Sequence, residues 1–139
     1  MPVTVYRYKE TDSFHFHNAN PKGKNASDCV YRAISVGLGQ DYETTMRELT
    51  EAALECGYAP NETKTIKYYL ESKGWRTYKE SRDINNKKVA AGLFATLHTK
   101  GIYIANVGSH HTSVIVDGKI WDTWDCSKRP MHIYWRKEE

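Results

Sequence analysis

Long apolar runs are missing from this 139-residue chain, so no helix of membrane-spanning length is expected and no membrane partner with it. The opening MPVTVYRYKE also lacks the apolar core of a signal peptide. Cysteine is scarce: Cys29, Cys56 and Cys126 make an odd count with no CxxC pair. That argues against a disulfide scaffold and against a zinc knuckle, and it suits a reducing, cytoplasmic setting. A basic stripe is missing too. The net charge is only +3, with Lys and Arg scattered along the chain, so nucleic acid is not an expected partner. Phe is sparse at three, against ten Tyr and four Trp. Tyr and Trp carry a polar handle on a large apolar body and often border clefts.

What is present fits a single domain spanning 1–139 with enough apolar content for a real core. Residues 3–8 alternate as a strand does, and 10–27, rich in Asn, Gly, Pro and Ser, reads as a long ordered loop. After Ser27 or Asp28 as N-cap, Val30, Ala33, Ile34 and Leu38 recur at helical spacing, and Gly37 and Gly39 mark the exit. A second helix is expected over 42–56 with Met46, Leu49, Ala53 and Cys56 as its apolar stripe and Gly57 as its stop. A third starts near Asn61 and carries Ile66, Tyr69 and Leu70. Residues 75–78 suggest a short strand and 85–97 a fourth helix interrupted by Gly92. From Gly101 the period changes to two. Strands are expected over 102–107, 112–116, 119–124 and 131–136, with Asp117-Gly118 as a two-residue hairpin turn. Helices followed by an antiparallel sheet make an α+β plan.

A thiol becomes a good nucleophile once ionised, and a helix N-terminus or a neighbouring imidazolium favours ionisation. Cys29 falls in the first turn of the first helix. The hairpin supplies the imidazole. A two-residue turn at Asp117-Gly118 pairs Val116 with Lys119, Ser113 with Asp122 and His111 with Trp124. Side chains alternate along a strand, so His111, Ser113 and Asp122 share a face, with Asp122 diagonal to His111 at roughly 7–8 Å between backbones. His110 and Asp125 fall on the opposite face, and a slip of one residue would exchange the two sets. Cys29, His111 and Asp122 thereby supply nucleophile, base and orienting carboxylate for acyl transfer. A metal site would need further ligands from His15, His17, His98 or His132, whose spacing fits no common ligand set. No metal and no cofactor are expected. Cys56 reads as core, and Cys126 is the outside candidate for nucleophile.

Two segments resemble a known superfamily. Asn25-Ala-Ser-Asp-Cys-Val-Tyr-Arg-Ala-Ile34, followed by His111-Thr-Ser-Val-Ile-Val-Asp-Gly-Lys-Ile-Trp-Asp-Thr-Trp-Asp125, resembles small phage and bacterial proteins of the papain-like superfamily. A more distant likeness is to the double-glycine leader peptidases of bacteriocin exporters. The resemblance covers roughly 20–40 and 100–126. It implies a papain-like fold, with the nucleophile helix packed on the sheet, and a Cys29–His111–Asp122 triad acting on a peptide or protein, in the host cytoplasm if the chain is phage-encoded. The superfamily places a Gln before the Cys as a side-chain donor to the oxyanion, and none precedes Cys29. Asn25 is the substitute read here, with Asn20 behind it. The same triad would serve an acyltransferase of transglutaminase type, with an amine in place of water. A phage binding or inhibitor protein could keep the fold without the chemistry. Oligomeric state is not legible.

Overall fold

The computed structural model describes residues 9–24 and 27–137. The strand expected over 3–8 and the expected oxyanion donor Asn25 lie outside them. The described elements run β1 (Phe14–Phe16), α1 (Cys29–Leu38), α2 (Tyr42–Cys56), α3 (Thr63–Ser72), β2 (Trp75–Tyr78), α4 (Ala91–Leu97), β3 (Ile102–Val107), β4 (His111–Val116), β5 (Lys119–Asp122) and β6 (Met131–Lys137). None of these helices is long and apolar enough to cross a membrane.

The strands form one six-stranded sheet in the order β1-β5-β4-β3-β6-β2. Its two faces are both covered, as strand parity requires. Ile104 and Val114 point to the face carrying Val30, Ala33 and Ile34 of α1, Leu49 of α2 and Ile66 and Leu70 of α3. Tyr103, Ala105, Ile115 and Ile120 point to the other, where Phe94 and Ala95 of α4 close over them.

The architecture is α+β, but the sheet is mixed rather than antiparallel. β1 pairs with β5 in parallel, Phe14 opposite Ile120 and Phe16 opposite Asp122, so the segment expected to be loop throughout contains an edge strand. Three residues give too short an alternation to stand out from the Asn and Gly around it. Phe14 is nevertheless fully buried, and that burial ties the strand to the sheet. β2 joins the same sheet through β6, so the helical half and the sheet half interleave.

Helical boundaries follow the capping signals at α2, where Asp41 accepts from the Thr44 N–H and Gly57 ends the helix in the left-handed region. The buried stripe of α2 is turned from the expected one. Thr45, Leu49 and Ala52 face inward while Met46 is exposed. Thr45 can be buried because its hydroxyl donates to the Asp41 carbonyl and accepts from Gln40 Nε2.

The fourth helix is shorter than expected, starting at Ala91 instead of near Asn85, and Gly92 is needed for packing. A Cβ there would lie 2.8 Å from Ser127 Cβ and 3.0 Å from the Ser127 carbonyl oxygen, which already accepts from the Gly92 N–H at 2.8 Å. Gly92→Ala is therefore expected to destabilise the fold by about 1–3 kcal/mol through overpacking. Alanine's better helix propensity, about 1 kcal/mol, acts in the opposite sense. Urea unfolding measures the sum, and a midpoint equal to or above wild type would mean that the 126–129 loop yields.

Candidate active site

The site forms where the β4–β5 ladder stops. Asp117 and Gly118 both take positive φ, 47° and 84°, as the two-residue turn demands, and Val116, Ile115 and Val114 pair with Lys119, Ile120 and Trp121. Beyond Val114 the strands are joined by side chains instead. Ser113 Oγ donates to Asp122 Oδ2 at 2.6 Å, and His111 Nε2 meets the same oxygen at 2.6 Å. The diagonal contact anticipated between His111 and Asp122 is thus present, whereas the His111–Trp124 backbone pair is not. β5 ends at Asp122, and the Trp124 ring tilts over the imidazole with centroids 4.8 Å apart. His110 takes a positive φ of 59° in the turn before β4, and Asp125 accepts from the Ser127 N–H.

Asp122 is buried, with its other oxygen taken by the Thr123 N–H at 2.7 Å and approached by Arg32 Nη2 at 3.6 Å. Cys29, first residue of α1 and half-buried, lines the same cleft as His111. Burial alone would raise its thiol pKa. The hydrogen bonds from His111 and the Thr112 backbone N–H, with the positive charges of His111 and Arg32, outweigh burial and hold the thiol below its ordinary value. His111 is the complementary case. Burial disfavours its charged form, but the bonds to Asp122, Cys126 and Cys29 and the Asp122 charge raise it to about 11. A lowered thiol beside a raised imidazole shifts the two groups in the direction of a thiolate–imidazolium pair. Buried Cys126 lies 4.0 Å from Asp122 Oδ2, and burial raises its thiol. That makes it the poorer nucleophile.

Asp28 occupies the N-cap position of α1, yet its carboxylate makes no capping bond. It is drawn away by Asn20 Nδ2 at 3.0 Å, by the Tyr42 hydroxyl at 2.7 Å and by Arg32 Nη1. A capping bond is worth about 1 kcal/mol, so the ion pair and two hydrogen bonds win. The consequence is that the first-turn N–H groups of α1 receive no Asp28 carboxylate oxygen, at the edge of the cleft that Cys29, Val30 and Tyr31 line. Asn20, the second amide considered for the oxyanion, is committed to Asp28.

The cleft, about 600 Å³, runs from Cys29 and Tyr31 past Thr63, Asn106 and His111 to His132. Asn106 is fixed across it, donating to Thr63 Oγ1 at 3.0 Å and accepting from Thr112 Oγ1 at 3.1 Å.

His111, Asp122 and Cys126 are the one group among the described residues whose ligand atoms lie close enough for a metal, within 4.8 Å of one another. Hydrogen bonding already accounts for that proximity, since Asp122 Oδ2 takes both His111 and Ser113. The other histidines do not converge. His15 and His17 flank Trp121, His98 bonds the Phe94 carbonyl, and His132 bonds the Gly108 carbonyl.

Arg32 and Ser113 are the members of the cluster given no role by sequence reading. A charged residue at i+3 from a helical Cys looks solvent-facing, and only its burial, at 8% exposure, distinguishes it. Compared with family models, curated proteins and solved structures, the chain finds no match.

Proposed function

We propose that the protein is a cysteine hydrolase on a papain-like variant of the α+β plan, acting on an amide or related acyl bond of a peptide or protein. The observation that carries this reading is the His111 Nε2–Asp122 Oδ2 contact of 2.6 Å in the wall of the same cleft that Cys29 lines.

The Cys29 thiolate attacks the carbonyl carbon, the C–S bond forms, and the carbonyl π electrons move to oxygen. The uncapped N–H groups at the start of α1, that of Cys29 first among them, are the donors at hand for this oxyanion. On collapse the bond to the leaving group breaks, and His111 passes its proton to that group. Because Nε2 is held by Asp122, Nδ1 is the nitrogen that exchanges protons with thiol and substrate. Water then attacks the thioester while His111 takes its proton, the C–S bond breaks, and the ion pair is restored.

p-Nitrophenyl acetate tests this directly. A burst of one p-nitrophenol per chain is expected, with the acetyl group found on Cys29 by mass spectrometry and lost in Cys29→Ser. Acetyl on Cys126, or no burst, would overturn the assignment. Turnover accelerated by an added primary amine but not by water alone would identify an acyltransferase using the same residues.

A further inference from the structure

We propose that Arg32 is a positioning residue of the same site, a buried cation shared between the nucleophile helix and the base's carboxylate. It keeps Cys29 ionised and restrains the hold of Asp122 on His111. The proposal rests on the Cys29–His111 reading above.

Arginine is rarely buried unless paired, and Arg32 is paired on both sides by different parts of the fold. Nη1 bonds Asp28 at the head of α1, and Nη2 lies 3.6 Å from Asp122 Oδ1 at the end of β5. Asp28 is in turn gripped by Asn20 from the β1–α1 loop and by Tyr42 from α2. The guanidinium thus pins the first turn of α1, and Cys29 with it, to the strand that bears Asp122.

Charge makes it more than a pin. The cluster contains two carboxylates, Asp28 and Asp122, and gains a third negative charge when Cys29 ionises. Arg32 and His111 supply the two positive ones, and the Tyr42 and Cys126 protons stay on. Asp122 raises the basicity of His111, and the more basic the imidazolium, the less readily it surrenders its proton to a leaving amine. A cation on the opposite oxygen of Asp122 opposes that effect, and the same cation favours the Cys29 thiolate. Both influences act through Cys29 and Asp122, although Arg32 also forms part of the cleft wall.

The test is the pH profile of Cys29 alkylation by iodoacetamide, followed residue by residue. Arg32→Met alone leaves Asp28 and Asp122 buried without a countercharge and risks a folding defect. The informative comparison is therefore between Asp28→Asn and the double variant Asp28→Asn, Arg32→Met, which retains similar volume and differs from it only by the Arg32 charge. Circular dichroism and thermal melting establish that both are folded. The expected result is an alkylation midpoint for Cys29 about one pH unit higher in the double variant than in Asp28→Asn. A folded double variant whose profile superimposes on that of Asp28→Asn would reduce Arg32 to a structural pin and overturn the proposal. The wild-type arm separates the two levels of inference. If wild-type Cys29 is not alkylated below the ordinary thiol range, the nucleophile reading itself fails, and this proposal with it.

Discussion

Replacing His111 with alanine is expected to slow alkylation of Cys29 at about pH 6 by on the order of tenfold, while Cys126 remains unlabelled in both proteins. The magnitude comes from two opposing effects. An ordinary thiol with a pKa near 8.5 is roughly 0.3% thiolate at that pH, so an ion pair that keeps Cys29 ionised gains a few hundredfold in reactive species. Thiolates of lower pKa are intrinsically weaker nucleophiles, with a Brønsted slope of about 0.4–0.5, which takes back part of the gain. In His111→Ala the thiol keeps its half-buried position, which disfavours the thiolate, and loses the largest group opposing it. Arg32 and the Thr112 N–H remain, so the loss is large rather than complete. Equal alkylation rates in the two proteins would mean that His111 does not ionise Cys29.

The second large effect is on stability. His111 is raised from 6.5 to about 11 on folding. Its contribution is full below pH 6.5 and is lost as pH rises toward 11. Cys29 is lowered from 9.0, so its contribution grows as pH rises and is complete above 9. For an ion pair the two slopes cancel wherever Cys29 is ionised in the folded chain and still protonated in the unfolded one, because both then bind the same number of protons, on His111 in one and on Cys29 in the other. Wild-type stability should be flat across that window as far as this pair is concerned. It should then fall above 9 by about 1.4 kcal/mol per pH unit. Cys29→Ser removes the compensating slope, so its decline begins at 6.5. Over the 2.5 units separating the two ordinary values, 9.0 minus 6.5, the variant should lose up to about 3 kcal/mol relative to wild type, less whatever water in the cleft screens. Urea midpoints of the two proteins across that range measure the difference directly. Parallel pH dependence would show that the thiol stays neutral beside His111, and the ion pair would be ruled out.

Much of the candidate site was legible because it is built from neighbours in the chain. Asp117-Gly118 dictates a two-residue turn, and a two-residue turn dictates parity. Parity alone brought His111, Ser113 and Asp122 to one face and sent His110 and Asp125 elsewhere. Even there the ladder ended earlier than the pattern implied. Asp122 takes its partners through its side chain, and the backbone beyond it is free to turn Trp124 over the imidazole. The helix over 29–38 was equally legible, with Val30, Ala33 and Ile34 buried at the expected period. Its cap was not. Asp28 has the side chain of an N-cap and the position of one, but its carboxylate answers to Asn20, Arg32 and Tyr42.

By itself, then, the sequence determined the helices, the hairpin register and the three residue types from which a nucleophile, a base and an orienting carboxylate could be drawn. Those follow from propensity, turn chemistry and alternation, all of which act over a few residues. Only the tertiary structure decided that Cys29 and His111 line one cleft, that β1 adds to the sheet in parallel, that Thr45 and not Met46 faces inward, and that Arg32 is buried between two carboxylates. Each of these depends on a partner far along the chain. The energy that selects them, burial of apolar surface with every buried polar group satisfied, exists only once the layers have packed.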